Sequence, residues 1–575
     1  MAGPGTATAR PWVDRYPVSV PRDLTVPDVR WPDLVEESVK SWPGRAAFVY
    51  YGTSLTYARF WELTDRFAAA LAEDGLRAGD RIAIFLPNHP TYPIAYVAAL
   101  RLGLTVVQVS PLYLGQDLVH LLADAQPKAI VTLEILYPEL DKVRHEVSVP
   151  LEYVARLSDF YPFYLRPFVR MVARRQGRST AVPRRASVRA FRTALAHPPG
   201  GWPKPPAVPP SQEVAVLQYT GGTTGRSKAA MLSHRNLVAN ALQCRAWFNV
   251  QDPGTAVVLA AIPLFHVYGM TVALNYPLLE GATIVLELRP EPTEILRLVN
   301  RYHPTELPGV PALYQAILHH PHLARTNVKS IRVCVSGSAP LPLEVARQFE
   351  AVTGGYLIEG YGLTEASPVT HANPIQGERR AGSIGLPLPL TDQRIVDAET
   401  GRRDVPVGEV GELAVKGPQV MLGYYEQPAE TAKVLQDGWL LTGDLAKVDA
   451  DGYAYIVERK KDMIDVGGLK VYPREVEEVL YQHPGVREAA VIGVPDQRLG
   501  EYVHAVIVRK DGATIGADDL IAFVRERIAH YKAPRSIQFR SELPRSGVQK
   551  VLRRVLREQA TFGAPPAPPP TTPGR

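Results

Sequence analysis

The residues best placed to do chemistry lie near the middle of the chain, in Tyr219-Thr220-Gly221-Gly222-Thr223-Thr224-Gly225-Arg226-Ser227-Lys228. Three glycines let the backbone approach a bulky anion, four aliphatic hydroxyls can bond phosphate oxygens, and Lys228 brings a mobile positive charge. The apolar run Val214-Ala215-Val216-Leu217 before it reads as a strand, and a helix is expected to begin near Ser233. The spacing is not that of a Walker loop, because no Gly-Lys-Ser/Thr stands at the required offset. Taken alone, such a stretch is more often a plain flexible loop.

Further groups lie downstream. Glu359-Gly360-Tyr361-Gly362-Leu363-Thr364-Glu365 sets an aromatic able to stack on a base beside a carboxylate able to hold Mg²⁺. Its plainer reading is a tight turn with a core tyrosine. Asp444, in Thr442-Gly443-Asp444, suits the two hydroxyls of a ribose, or simply a turn. Arg459-Lys460-Lys461-Asp462 is a charge cluster at a change of composition, readable as a solvated linker. Lys550 ends the Gly/Ser-containing run Pro544 to Lys550, and lone lysines are mostly surface residues.

The elements that must position these groups follow from periodicity. Between Ala46 and Thr132, β-rich runs (Ala47–Tyr50, Arg81–Phe85, Thr105–Val109, Ala129–Val131) alternate with helical ones (Tyr57–Ala72, Tyr92–Leu102, Leu118–Ala125), which predicts an α/β layer with a parallel sheet. Residues 150–212 interrupt the alternation. There Arg166, Arg170 and Arg174 fall four apart, after which Pro198–Pro210 reads as an extended linker. The arginine segment fits either a membrane-surface helix or a helix packed on its own domain. The α/β pattern resumes from Val257 to about Tyr361. Short strands from Gln393 to Val415 predict a small β subdomain, and the region after Asp462 predicts a compact α+β domain.

With 575 residues the chain exceeds one core, so at least two domains are expected. A net charge of +6 is small for this length and does not call for nucleic acid. Two cysteines, Cys244 and Cys334, exclude a disulfide framework or zinc cluster and fit a reducing cytoplasm. No signal peptide is read in residues 1–30, and no apolar run is long enough to span a bilayer. The expectation is a cytoplasmic protein, with peripheral contact at the inner membrane face left open.

Together these motifs resemble the adenylate-forming superfamily, which includes acyl-CoA synthetases, peptide-synthetase adenylation domains and firefly luciferase. Tyr219–Lys228 is similar to its phosphate loop, Tyr361–Glu365 to its Tyr-Gly-x-Thr-Glu motif, and Thr442–Asp444 to its ribose motif. Arg459–Asp462 resembles its hinge, Lys550 its C-terminal catalytic lysine, and Tyr531-Lys532-Ala533-Pro534 a further family motif. The resemblance runs from Trp12 to about Arg557. Three positions depart from the pattern: Ser227 replaces a proline, Ala229 a glycine, and Gln549 the glycine before the catalytic lysine. Both lysines remain, so altered rates rather than lost activity are expected.

The resemblance implies a large N-terminal domain (1–458) of α/β-layered subdomains plus a small β subdomain, a hinge (459–462), a mobile α+β C-terminal domain (463–560) and a Pro-rich disordered tail (561–575). It implies ATP, Mg²⁺ and CoA. Lys550, Lys228, His266 and Thr364 are the implied catalytic residues. Thr220, Gly221, Gly222, Thr223, Thr224, Gly225, Gly337, Ser338, Ala339, Gly360, Tyr361, Asp444, Arg459, Lys461, Gly467, Gly468 and Lys470 are implied to contact nucleotide or CoA, and Glu365 with Thr220 to hold the metal. Pro263–Gly269 matches the mouth of the family's acyl pocket, and Trp12–Pro17 and Ser158–Pro162 resemble long-chain fatty acyl-CoA ligases. The implied reaction activates a fatty acid as acyl-AMP and transfers it to CoA. The alternatives are a ligase that loads a carrier protein, an aryl or short-chain acid ligase, and a catalytically weak acyl/nucleotide-binding scaffold.

Overall fold

A computed structural model describes residues 10–175, 184–220, 227–248, 251–496, 498–545 and 551–562. The chain divides into two compact units. One comprises Met1–Gln393, Ala414–Leu441 and Asp449–Ala454; the other Arg394–Leu413, Thr442–Val448 and Tyr455–Arg575.

The first unit is built on an eight-stranded sheet. Its strands lie in the order Gly423–Tyr424, Ala229–Ser233, Val214–Tyr219, Thr105–Val109, Arg81–Phe85, Ala129–Leu133, Leu151–Ala155 and Val188–Ala190. The six from Val214–Tyr219 to Val188–Ala190 run parallel. Burial on both faces explains why Thr105–Val109 and Ala129–Leu133 are mainly apolar and buried at every position, without alternation. Helix Tyr57–Glu73 starts where the Thr56 side chain accepts from the Arg59 amide, and Thr91–Leu102 stops where Gly103 turns left-handed at φ +82°.

The alternation does not stop at residue 150. Leu151–Ala155 and Val188–Ala190 extend the parallel sheet, with helix Arg166–Arg175 between them. The strand is disguised by Glu152, which is buried because Arg144 donates to both its carboxylate oxygens at 2.5 and 2.6 Å and the Tyr137 hydroxyl donates at 2.8 Å. The unit also holds two four-stranded sheets: Val257–Ala260, Thr283–Leu286, Ala46–Tyr50, Thr53–Thr56; and Val333–Ser336, Tyr356–Gly362, Val369–Ala372, Leu386–Pro387.

In the second unit, strands Leu469–Val471, Ile464–Val466, Gly500–Arg509 and Val486–Asp496 lie side by side, and Ser536–Arg540 pairs in parallel with Gly500–Arg509. Helices Pro473–Tyr481 and Ala517–Arg525 contribute Val476, Leu480, Leu520 and Val524 to a core with Val491 and Ile507. Among the described residues, no helix is long and apolar enough to cross a membrane.

Candidate active site

The glycine-rich stretch is the connection of a hairpin. Val214–Tyr219 pairs antiparallel with Ala229–Ser233, and the Thr220 amide donates to Lys228 O at 2.8 Å, closing the neck. The helix expected near Ser233 does form, as His234–Phe248, directly after the strand Ala229–Ser233. Gly221–Gly225, and Lys550 at the other end of the chain, lie outside the described residues.

At the neck, Lys228 Nζ is ion-paired with Glu430 and sits 5.2 Å from the centroid of the Tyr424 ring. Hydrogen bonds from Lys228 and then Lys433 hold the Glu430 carboxyl down at about 2. The Tyr424 hydroxyl donates to Glu365 Oε1 at 2.7 Å. Burial, reinforced by the Glu365 carboxylate, pushes that hydroxyl far above its ordinary value, so it remains a donor. Tyr424 is positioned by backbone pairing, opposite Ala230 on the strand that follows the glycine loop, and by its amide donating to Thr431 Oγ1 at 2.8 Å. Lys228 and Glu365, 137 positions apart, thus share one tyrosine.

Tyr361 stands in a strand paired with Val369–Ala372, opposite His371, with the two rings edge to face at 5.9 Å. Burial pushes His371 down to about 4, and it is a neutral ring bonded to Gln393 Oε1 at 3.0 Å. Thr364 and Glu365 lie on the short 3₁₀ turn that follows. His266 caps helix Val267–Met270, its Nδ1 accepting from the Tyr268 amide at 3.2 Å. The Tyr268 hydroxyl donates to Val335 O at 2.6 Å, and its ring lies 3.2 Å from where a Cβ on Gly337 would stand. A side chain at Gly337, at the end of the strand that leads to Ser338 and Ala339, would press on that ring. Past Met270 the chain forms a π turn, Thr271–Asn275, whose Thr271 hydroxyl donates to Ser367 O at 2.6 Å. The segment that follows His266 and the Glu365 turn are joined there.

In the second unit, Asp444 is buried and pairs with Arg459 Nε at 3.4 Å. Gly443, at φ +74°, turns the backbone so that its amide donates to Glu412 Oε1 at 3.0 Å, while Lys460 Nζ reaches Glu412 Oε2 at 2.8 Å. Lys461 is pushed down to about 8 by burial and the neighbouring Arg459 guanidinium. Gly467 and Gly468, both left-handed, make the two-residue turn of the hairpin Ile464–Val471, and Lys470 pairs with Asp465 at 2.7 Å. The flanks of the Lys550 segment are fixed: Arg545 bridges Val551, and Arg553 Nη2 donates to both oxygens of Glu477 at 2.8 Å.

Tyr424, Glu430 and the Glu412–Lys460 pair are not legible as site residues. Gly423–Tyr424 is a strand of two residues, too short for any period. The only signal nearby is Pro428 at the start of a helix.

The first unit thus carries a hydroxyl-bearing hairpin neck with its lysine and a carboxylate that share one tyrosine, and the second a buried aspartate paired with arginine, groups whose chemistry suits a nucleotide-dependent enzyme. The chain belongs to the AMP-binding enzyme family, whose model matches residues 35–425, followed by the AMP-binding enzyme C-terminal domain over 475–550. It is 43% identical over 554 residues to a long-chain-fatty-acid–CoA ligase of Bacillus subtilis, covering 96% of this chain and 98% of that one. A ligase of the same description from Escherichia coli is 39% identical over 559 residues, with coverage of 96% and 98%. Among solved structures, ATP-bound MatB from Rhodopseudomonas palustris superposes with a TM-score of 0.80 at 31% identity, covering 92% of this chain and 99% of that one.

Proposed function

We propose that the protein activates long- or medium-chain fatty acids with ATP, releasing pyrophosphate and forming acyl-AMP, and then passes the acyl group to CoA with release of AMP. What carries this reading is the full-length similarity to fatty acid–CoA ligases together with the Lys228–Tyr424–Glu365 cluster.

In the first step a carboxylate oxygen attacks the α-phosphorus and the bond to pyrophosphate breaks. Two anions approach, so the site must supply positive charge and fixed donors. Lys228 supplies the former once it leaves Glu430, and Thr364 and the hairpin hydroxyls the latter. Oxygen donors are the chemistry Mg²⁺ prefers, and Glu365 and Thr220 offer a carboxylate and a hydroxyl, leaving phosphates and water to complete the shell. When bound, the ion polarises the phosphates. Asp444 accepts from the ribose hydroxyls, with Arg459 fixing its orientation. Tyr361 offers a face to the adenine, and His266 stands near the acid's carboxylate.

In the second step the thiol sulfur attacks the acyl carbon, the bond to AMP breaks, and the thiol proton is lost to solvent or base. We assign residues 459–462 as the hinge about which the C-terminal domain turns between steps, with Lys550 serving the first and the Gly467-Gly468 turn, beside Lys470, the second. Burial pushes both Cys244 and Cys334 thiols up, which keeps them inert and suits a reducing cytosol.

The test is AMP release from ATP and Mg²⁺, with and without CoA, across carboxylates from acetate to oleate. CoA-dependent turnover rising toward long chains is expected. Pyrophosphate release that ignores CoA indicates a carrier-protein acceptor. A maximum at aryl or short-chain acids overturns the substrate class, and silence with every acid overturns the enzyme.

A further inference from the structure

Helix Arg166–Arg175 is amphipathic, but it is mounted back to front. Two of its arginines turn toward the protein: Arg166 Nε donates to Tyr161 O at 2.9 Å and Arg170 Nε to Ser158 Oγ at 3.2 Å. Ala173 is buried. The outward side carries Phe168, 59% exposed, and Met171, 39% exposed, with Arg174 and Arg175 exposed beside them. Phe168, Met171 and Arg175 follow one another at the spacing of a single helical stripe. Just before the helix, Phe163 and Tyr164 are 80% and 67% exposed, their rings edge to face at 5.6 Å. A helix packed on a soluble domain does the reverse, hiding aromatics and showing arginines to water. Single exposed apolar residues need no explanation, but four large ones within nine positions form a patch, and patches mark contact surfaces.

Charge says what the contact is. From Phe160 to Arg192 the sequence has nine arginines and no lysine, aspartate or glutamate. Some are committed within the fold: Arg185 pairs with Asp141, and Arg189 with Asp74 at 3.5 Å. Arg174 and Arg175 are exposed on the helix that carries Phe168 and Met171. A second copy docked by two-fold symmetry would set arginines against arginines. A surface combining negative charge with an apolar layer beneath it fits both features at once.

We propose that this face docks on an anionic phospholipid bilayer. Phe163, Tyr164, Phe168 and Met171 enter the boundary between headgroups and acyl chains, while Arg174 and Arg175 meet lipid phosphates. The proposal stands apart from the ligase reading, because it concerns where the protein sits and not what it catalyses.

The test is flotation of the full chain with phosphatidylcholine vesicles with and without phosphatidylglycerol, at low and high salt. Binding should require phosphatidylglycerol and weaken with salt. Phe168→Ser with Met171→Ser should lower vesicle partitioning about tenfold or more, from the apolar area lost. Arg174→Gln with Arg175→Gln should lower it roughly fivefold per charge, only on the anionic vesicles. All four side chains are exposed, so the variants should melt like the parent. No vesicle binding, or binding indifferent to Phe168 and Met171, overturns the proposal. So does a concentration-dependent dimer in sedimentation that the same variants dissolve while vesicles capture nothing.

Discussion

The Tyr424 hydroxyl donates to Glu365 at 2.7 Å while the face of its ring lies 5.2 Å from the Lys228 ammonium. One side chain therefore orients both the carboxylate assigned to the metal and the cation assigned to the phosphates. It does so from a two-residue strand paired to the hairpin that carries the lysine. Tyr424→Phe keeps the ring and removes the donor. A hydrogen bond to a charged group is worth about 1.5–3 kcal/mol, and partial exposure brings that toward the lower end. The expected result is a loss of about tenfold in apparent affinity for MgATP, seen as a rightward shift in a Mg²⁺ titration of pyrophosphate release. An unshifted titration contradicts the assignment.

Glu430 is ion-paired with Lys228 and must release it if the lysine is to take the phosphate role proposed for it. Glu430→Gln should therefore lower the KM for ATP a few-fold, and the difference should shrink at high salt because the pair is only half-buried. A raised KM would mean that Glu430 instead helps to place the lysine.

Arg553 holds the helix Arg553–Phe562 by its two 2.8 Å bonds to Glu477, three residues after Lys550. Arg553→Lys gives up the paired geometry but keeps the charge. It should slow adenylate formation several-fold and spare transfer from preformed acyl-AMP, the pattern expected in stronger form for Lys550→Ala. Equal loss in both half-reactions would show a general loosening of the domain.

Glu306 is buried, and burial pushes its carboxyl up to about 7, although both of its oxygens accept from the Tyr276 hydroxyl at 2.9 Å. Against an unfolded value of about 4.3, the folded chain keeps a proton that the unfolded chain releases. Its contribution to stability is thus full below about pH 4.3 and is lost as the pH rises through 7. Glu134, also at about 7, acts in the same direction; His89 and His371, pushed down by burial to about 3 and 4, act in the other. Glu306→Gln should gain on the parent as pH is raised from about 5 to 8, by up to roughly 3 kcal/mol. Melting both proteins at the two ends of that range decides it, and a constant difference contradicts it.

Much of the frame was open to reading because a parallel sheet buried on both faces writes itself as apolar runs. Arg81–Phe85 and Thr105–Val109 match their expected bounds. Leu151–Ala155 was hidden because Glu152 looks like a break until Arg144 and Tyr137 are seen to neutralise it. The site divides in the same way. Lys228, Glu365 and Asp444 stand in recognisable local motifs. Tyr424 and Glu430 act through tertiary pairing, which no local spacing records. Arg166 and Arg170 do have helical spacing, but only packing shows which face turns inward.

In the reaction proposed, the fatty acid passes through an adenylate. Oleate, ATP and Mg²⁺ should be mixed with the enzyme without CoA, quenched, and examined by mass spectrometry, then chased with CoA. Oleoyl-AMP should accumulate in proportion to enzyme and vanish on the chase, yielding oleoyl-CoA and AMP in equal amounts. Formation of ADP, or of acyl-CoA with no adenylate preceding it, would contradict the account.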